Sequence, residues 1–213
     1  MMKMKYITVL MLGLVVTDTF AKEVPVVEPK VQQNVAELKS ILSSIRTFHA
    51  SFKQTVIDAQ GEQVQESVGE LILKQPNLMI WQVNEPDENL MVADGSTLWY
   101  SDPFVEQVIA VDQAASVANN PIVLLSDPEN KSWQDFNIDF GQGMYKVKAI
   151  SPQSQIAELQ LRFEQGKLVE LSLIDRQLQI SKLVFSDIQQ NIPLGNEPFK
   201  FVVPDGFELD DQR

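Results

Sequence analysis

Hydrophobic residues change their spacing several times along this chain, and each spacing predicts a different element. Across residues 31–48, large apolar residues recur every three or four positions, with Gln, Glu, Lys, Ser and Arg between them. That spacing puts the apolar residues on one face of a helix. We therefore predict an amphipathic helix here, with Asn34 as the residue that caps its regular part.

From His49 onward the apolar residues alternate with polar ones, and a period of two predicts β-strands. Residues 69–112 form a run of short apolar segments, which Pro, Gly, Asn and Asp separate in the pattern of β-hairpins. The predicted strands are residues 52–58, 64–74, 77–83, 89–93, 97–100, 104–111, 133–140, 144–150, 156–164, 167–175, 177–189 and 199–203. Together they predict one mainly β (α+β) domain of antiparallel sheet behind an N-terminal helix.

Residues 112–126 interrupt the strand pattern and predict one or two short helices. Pro121 suits the first turn of such a helix, and Asn120 before it can act as a cap. Four large aliphatic residues follow, and they cannot all face one side of so short a helix. The helix is therefore either buried all round or lies across an apolar opening, and we favour the second interpretation.

The first 21 residues have the composition of a secretory signal peptide. Two lysines precede an apolar stretch at residues 6–16, and small residues lead to a cleavage position near Ala21. The apolar stretch is shorter than the roughly 20 residues that span a bilayer as a helix. We therefore predict a signal peptide at residues 1–21 and a single domain at residues 22–213, located in the periplasm.

Composition narrows the classes of function. The formal net charge of −12 disfavours binding to nucleic acid and to anionic membrane surfaces. The chain has no cysteine for thiol chemistry, and its only histidine, His49, is interpreted as a packing or capping residue. Carboxylates cluster only in turns and in the C-terminal tail, without the spacing of a calcium loop. We expect no catalytic residue, metal or other cofactor, although a pair of catalytic carboxylates from distant strands stays open.

Large, flexible hydrophobic residues are frequent in the central run of strands and just after it. Met79, Trp81, Met91 and Trp99 lie in the strands, and the four aliphatic residues after Pro121 follow. These side chains can fill a core between the sheet and its helices. Alternatively, the sheet is a half-barrel that holds acyl chains under a helical lid, where each buried methylene contributes about 0.8 kcal/mol. From the residues alone both interpretations stay open.

Several segments of the sequence resemble the LolA family of periplasmic lipoprotein carriers. They occur in the family's order, span almost the whole predicted domain and are densest across residues 48–107. These segments are FHASFKQTV at 48–56, PNL at 76–78, Trp81, PDE at 86–88, DG at 94–95 followed by TLW at 97–99, PFVEQ at 103–107 and DDQR at 210–213.

The resemblance implies an incomplete antiparallel β-barrel closed by a helical lid, and a carrier instead of an enzyme. Such a carrier binds the acyl chains of triacylated lipoproteins in its cavity. It receives them from an inner-membrane ABC transporter complex and passes them to an outer-membrane receptor lipoprotein. The resemblance also implies a monomer that binds no nucleic acid, with a C-terminal extension after Val203 that keeps it off the membrane. The expected cavity and lid residues are Leu42, Ile45, Met79, Trp81, Met91, Trp99, Ile122, Val123, Leu124 and Leu125.

One position departs from the family pattern. Members of the family usually have an arginine before the proline of the Pro76-Asn77-Leu78 segment, where it hydrogen-bonds carbonyl groups of the lid and keeps the empty cavity shut. Here that position is Gln75. Glutamine keeps two amide donors but lacks the charge and the five-donor fork of arginine, so we expect a weaker latch at Gln75.

Other classes of function are compatible with the same open sheet. One is a periplasmic hydrolase with carboxylates inside the barrel, and another is a chaperone for unacylated envelope proteins. The outer-membrane receptor of the same fold is disfavoured, because the sequence has no cysteine that could take a lipid anchor.

Overall fold

A long helix and a twelve-stranded sheet make up most of the structure, a computed structural model that describes residues 29–117 and 120–213. The predicted signal peptide and its cleavage position lie outside the described residues. Helix α1 covers Pro29–Ser44. Its apolar side chains at Leu38 and Leu42 are buried and its polar ones face solvent, as the three- and four-residue spacing predicts. No helix within the described ranges has the length and apolar character needed to cross a membrane.

The strands follow one another around a single open sheet. In spatial order they run β12-β6-β5-β4-β3-β2-β1-β11-β10-β9-β8-β7. Neighbouring strands are antiparallel except for β12, which pairs parallel to β6. The strands are β1 Thr47–Ile57, β2 Gln63–Lys74, β3 Leu78–Glu85, β4 Asn89–Asp94, β5 Thr97–Asp102, β6 Gln107–Asp112, β7 Phe136–Gly141, β8 Met144–Ala149, β9 Ile156–Glu164, β10 Lys167–Asp175, β11 Ile180–Gln190 and β12 Glu208–Asp211. The predicted incomplete antiparallel barrel is therefore confirmed.

Short helical segments connect or follow the strands. Helix α2 covers Gln113–Ser116, and Asp112 caps it by accepting a 2.8 Å hydrogen bond from the amide of Ala115. Further 3₁₀ helices cover Pro121–Ser126, Lys131–Asp135 and Glu197–Phe199. We call Pro121–Ser126 the lid segment. Residues 194–207, which run along the outer face of the sheet before β12, are called the outer strap.

Strand β2 is irregular at Gly69. The β2–β3 register shifts between Val68 and Gly69, which marks a β-bulge. A Cβ atom at Gly69 would lie 2.0 Å from the carbonyl oxygen of Gln82 and 2.6 Å from the ring of Phe52. Only glycine permits this close approach, and the bulge helps the sheet to curve around its apolar face.

Separate apolar clusters lie on the two faces of the curved sheet. The larger, inner cluster combines the concave face with α1 and the lid segment. The smaller, outer cluster lies on the convex face under the outer strap, with Ile80, Val92 and Phe199 buried at its centre. Side chains along each strand alternate between the two faces, so residue parity decides which cluster a side chain joins.

Some sequence-based boundaries were wrong. The predicted helix 31–48 ends at Ser44, and Phe48 belongs to β1. Asn34 lies inside the helix and does not cap it. Phe104 belongs to a turn, where its amide bonds Oδ1 of Asp102 at 2.9 Å, and β6 starts only at Gln107.

One further predicted strand begins later than expected, and another is not a strand. Trp133 lies in a 3₁₀ helix and precedes β7, because Asn130 starts a helical turn by accepting from the amide of Ser132. Residues 199–203 are not a strand, since the outer strap packs on the sheet through its side chains and does not pair with a neighbouring strand.

Candidate functional site

The concave interior brings together most of the residues predicted for the cavity and lid. Leu42 and Ile45 reach it from the end of α1, and Met79 and Trp81 reach it from β3. Each of the four is at most 9% exposed. Helix α1 packs against β7 at the far edge of the sheet, so it spans the concave face.

All four aliphatic residues of the lid segment are buried in the same cluster. Ile122, Val123, Leu124 and Leu125 are 0–3% exposed. The segment lies on the concave face against β2, β3 and β9, and the curved sheet surrounds it. The segment is therefore buried all round in this state, which is the alternative we did not favour, although the surface that it covers is the apolar interior. Asn120 occupies the expected cap position, but its side chain makes no cap hydrogen bond within the described ranges.

A cavity of about 300 Å³ borders this interior. Its apolar lining comes from Trp81, Val83, Met91, Ile156 and Leu173. Polar side chains line the same cavity, and these are Gln54, Gln65, Ser67, Asn89 and Asn120. An apolar surface with a few polar groups is the usual composition of a ligand pocket.

Met91 and Asn120 meet beside this cavity. Met91 is only partly buried, and the side-chain amide of Asn120 lies 3.2 Å from its sulfur. Because the thioether is flexible and a weak acceptor, this is a weak hydrogen bond. The residue before the lid segment thus touches the cavity lining directly.

Trp99 does not join the predicted cavity, and this assignment was wrong. Within β5, Leu98 faces the concave interior, so the next residue faces the convex side. There the Trp99 ring stacks on Phe201 with centroids 5.2 Å apart, and its indole donates to Oδ2 of Asp94 at 2.8 Å. The guanidinium of Arg213 lies 5.0 Å from the centre of the same ring.

Gln75 ties the end of α1 to the turn between β2 and β3. Its side-chain Nε2 donates to the carbonyl oxygens of Leu42 and Ile45, both at 2.8 Å. Its backbone amide also donates to the carbonyl oxygen of Arg46 at 2.9 Å. The carbonyl oxygen of Leu42 also accepts from the amide of Ile45 at 2.9 Å, so Gln75 adds a second bond there and joins the end of the helix to the sheet.

A second set of hydrogen bonds ties the lid segment to the sheet. The amide of Asn77 donates to the carbonyl oxygen of Ser126 at 3.1 Å. The side chain of Gln113 then connects two turns, donating to the carbonyl oxygen of Asn77 at 2.9 Å and accepting from the amide of Gly95 at 3.0 Å. Gln113 is 6% exposed, and sequence reasoning did not identify it. No motif marks a glutamine that acts through backbone groups.

Tyr145 contributes a buried phenol to the interior. Burial and the neighbouring Glu37 carboxylate raise the pKa of Tyr145 to about 12, so this phenol stays neutral at physiological pH. His49 lies on β1, where its Nε2 is 3.2 Å from a carboxylate oxygen of the partly exposed Glu70. Within residues 29–117 and 120–213, no three His, Asp or Glu side chains are grouped so that they could hold a metal ion.

Two further cavities border the sheet. One of about 470 Å³ lies beside α2 and is lined by Leu98, Val111 and Ala115, among others. A groove of about 590 Å³ lies on the convex face between the sheet and the outer strap, and its lining includes Glu88 and Lys200. This outer groove is larger than the interior cavity, and Val83 and Asn89 line both.

Comparisons with known proteins agree with this arrangement. The family model described as "Outer membrane lipoprotein carrier protein LolA" matches residues 43–202. The outer-membrane lipoprotein carrier protein of Idiomarina loihiensis is 36% identical over 175 residues, which cover 82% of this chain and 86% of the relative. The protein of the same name from Pasteurella multocida is 37% identical over 179 residues, covering 84% of this chain and 87% of the relative.

The fold also occurs among solved structures. A DUF1329 family protein from Desulfovibrio piger superposes with a TM-score of 0.51 at 8% sequence identity, covering 80% of this chain and 97% of the other. At so low an identity the likeness concerns the fold alone.

Proposed function

Because this chain belongs to the LolA family of outer-membrane lipoprotein carrier proteins, we propose that it carries lipoproteins through the periplasm by holding their acyl chains in its concave interior. The apolar concave face supports this proposal most directly, because α1 and the lid segment cover it as two separate segments. The cavity beside Trp81 and Met91 gives a guest its first contact with that face.

Loading requires more space than the closed interior offers. The lid segment and Leu42 fill the centre of the concave face, so acyl chains replace contacts that these residues make. Burying apolar surface contributes about 25 cal/mol per Å². The exchange is therefore favourable when the acyl chains bury at least as much apolar surface as the lid segment exposes on opening. Cargo then moves onward because the next partner binds it more tightly, and no covalent bond changes.

The proposal includes the partners and processing that the family implies. The cargo would be triacylated lipoproteins, the donor an inner-membrane ABC transporter complex and the acceptor an outer-membrane receptor lipoprotein. The mature protein would begin after cleavage near Ala21. The strongly negative net charge of −12 suits a carrier that does not adhere to anionic membrane surfaces between the two.

Gln75 would act as the latch of the closed state. Its two bonds to Leu42 and Ile45 are between neutral groups, and such bonds contribute about 0.5–1.5 kcal/mol each against about 1.5–3 kcal/mol for bonds that involve a charge. Opening should therefore require less free energy than with arginine at this position. A Gln75→Arg variant should release bound lipoprotein to the receptor more readily than the parent, because the closed empty state is favoured. Equal release by both proteins would show that Gln75 is not a latch.

Binding of a fluorescent fatty acid to the delipidated protein tests the carrier function. We expect saturable binding with a blue-shifted emission and no chemical change of the probe. Val83→Trp, which fills the cavity lining, should lower the affinity about tenfold. Val184→Trp is the matched control, because Val184 is 46% exposed and lies on the convex face. Absence of saturable binding, or turnover of the probe without retention, would contradict the proposal.

A further inference from the structure

The connection between α1 and β1 is only two residues long. Helix α1 ends at Ser44 and β1 begins at Thr47, so Ile45 and Arg46 alone lie outside both elements. Because β1 is held on both sides by β2 and β11, α1 can swing away only by a change of backbone angles at this connection. We call Ile45 and Arg46 the hinge.

Asn191 holds the hinge from the side opposite Gln75. Its side-chain Nδ2 donates to the carbonyl oxygen of Ser44 at 3.0 Å, on the helix side of the hinge. Its Oδ1 accepts from the backbone amide of Arg46 at 2.8 Å. Its own backbone amide donates to the carbonyl oxygen of Thr47 at 2.9 Å, on the strand side.

These bonds continue the β1–β11 ladder beyond the end of the sheet. The last paired residues are Phe48 and Gln190, and Asn191 follows directly. The backbone of Asn191 then turns into the left-handed region, with φ of 59°, which ends the strand and aims the amide group at the hinge. Asparagine is among the few residues that tolerate this conformation, and its short amide both donates and accepts.

We propose that Asn191 is a second latch residue, which together with Gln75 sets the free energy needed to swing α1 off the concave face. This inference rests on the proposed carrier function. Both side chains bridge the hinge, since Gln75 also reaches a helix carbonyl, that of Leu42, and a hinge carbonyl. Asn191 is exposed, so water can replace its bonds when α1 moves. The pair forms a weak, reversible clamp on both sides of the hinge.

Two substitutions separate the amide group from the backbone conformation. Asn191→Asp keeps the shape of the side chain and its acceptor for the backbone amide of Arg46, but it removes the donor to the carbonyl oxygen of Ser44. It also places a carboxylate at the C-terminal end of α1, where the helix dipole makes a negative charge unfavourable. Asn191→Gly keeps the left-handed backbone and removes the whole amide. Asn196→Asp is the matched control, because Asn196 lies in the outer strap on the other face of the sheet, where it accepts from Lys74.

The fluorescent fatty acid and the full mature chain serve for the test. Apparent affinity is scaled by the fraction of protein in the binding-competent open state, so a weaker clamp raises it. We expect Asn191→Asp and Asn191→Gly each to raise the apparent affinity about five- to tenfold and to speed association. Asn196→Asp should leave both unchanged. The double variant Gln75→Ala/Asn191→Gly should exceed either single change.

Two results would overturn the inference while leaving the carrier function intact. One is unchanged affinity and association rate in both Asn191 variants, although the parent binds the probe saturably. The other is a lower urea midpoint without any gain in association, which would indicate a purely structural residue. Failure of the parent to bind the probe at all would instead contradict the proposed function.

Discussion

The two covers of this sheet, one on each face, are built on different physical principles. The inner cover is α1 with the lid segment, and at its ends it is tied by neutral hydrogen bonds from Gln75, Asn191 and Asn77. The outer strap is anchored by aromatic contacts and by hydrogen bonds from a charged lysine, with Phe199 buried and Phe201 stacked on Trp99. Lys74 on β2 also donates to Leu194 and Asn196 of the outer strap.

With the proposed carrier function, this contrast indicates that the inner cover is the one that moves. It has a two-residue hinge and end contacts that water can replace, while its apolar contacts can be exchanged for those of a hydrocarbon guest. The outer strap continues into β12, which pairs with β6 along four residues, so it is held along its length and at its end. We therefore interpret the outer cluster as permanent structure and the inner one as a reversible closure.

Phe199→Ala should have the largest effect on stability. Phe199 is 2% exposed at the centre of the outer cluster, and truncating a buried phenylalanine destabilises proteins by about 3–5 kcal/mol. We expect this decrease in the free energy of unfolding in urea. The affinity of the folded protein for a fluorescent fatty acid should stay unchanged, because the outer strap does not cover the interior.

Leu124→Ala is the matched change on the other face. Leu124 is 1% exposed in the lid segment, and its truncation should cost about 2–5 kcal/mol. Here the apparent affinity for the probe should rise, because the Leu124 side chain stabilises the closed state alone. If Phe199→Ala raised affinity as much as Leu124→Ala, the distinction between a permanent and a reversible cover would fail.

Contacts on the two faces of the sheet should also weaken at opposite ends of the pH range. The raised pKa of Tyr145, about 12, means that its contribution to stability is complete below pH 10 and is lost as the pH rises through about 12. Tyr145→Phe should therefore flatten the alkaline limb of a plot of unfolding free energy against pH.

Asp94 provides the acidic counterpart on the convex face. Burial opposes its ionisation, but hydrogen bonds from the Trp99 indole, from the amides of Thr97 and Ser96 and from the Ser96 hydroxyl prevail and lower the pKa of Asp94. Its contribution is present above about pH 4 and is lost as the pH falls through the lowered value. Asp94→Asn should thus change the acid limb only, and an effect of either variant on both limbs would contradict the separation.

Trp99→Phe should produce the smallest change. Phenylalanine can keep the stacking on Phe201 but cannot donate to Asp94. A hydrogen bond to a carboxylate is worth about 1.5–3 kcal/mol, and partial exposure places this one at the lower end of that range. The pKa of Asp94, followed by NMR titration, should rise toward its usual value. A destabilisation as large as that of Phe199→Ala would show that the indole, and not the buried phenylalanine, anchors the outer strap.

The sequence was most informative where turn chemistry and side-chain alternation agree. Asp94 and Gly95 fix the turn between β4 and β5, and the Gln165-Gly166 turn fixes that between β9 and β10, so these strands could be placed closely. The helix end was placed too late for a definable reason. Phe48 fits both the helical spacing from Ile45 and the alternation that continues to Phe52, and spacing alone cannot assign it.

The parts that could not be predicted depend on contacts between distant residues. Strand β12 is acidic and exposed, with none of the apolar alternation that marks a strand, and it forms because β6 offers a free edge. Trp99 was assigned to the interior by residue type, whereas its position one residue after Leu98 sends it outward. Asn191 and Gln113 act on backbone groups far along the chain, and no local pattern marks such partners.

Gly69 has a consequence for guest size. Its missing side chain lets Phe52 and the neighbouring strand approach closely, and the Phe52 ring in turn meets Trp81 edge-on at 5.7 Å. A methyl group at this one backbone position would push β2 and β3 apart and relax the curvature of the whole half-barrel. In the proposed carrier, the width available to hydrocarbon would thus depend on a residue that never touches it.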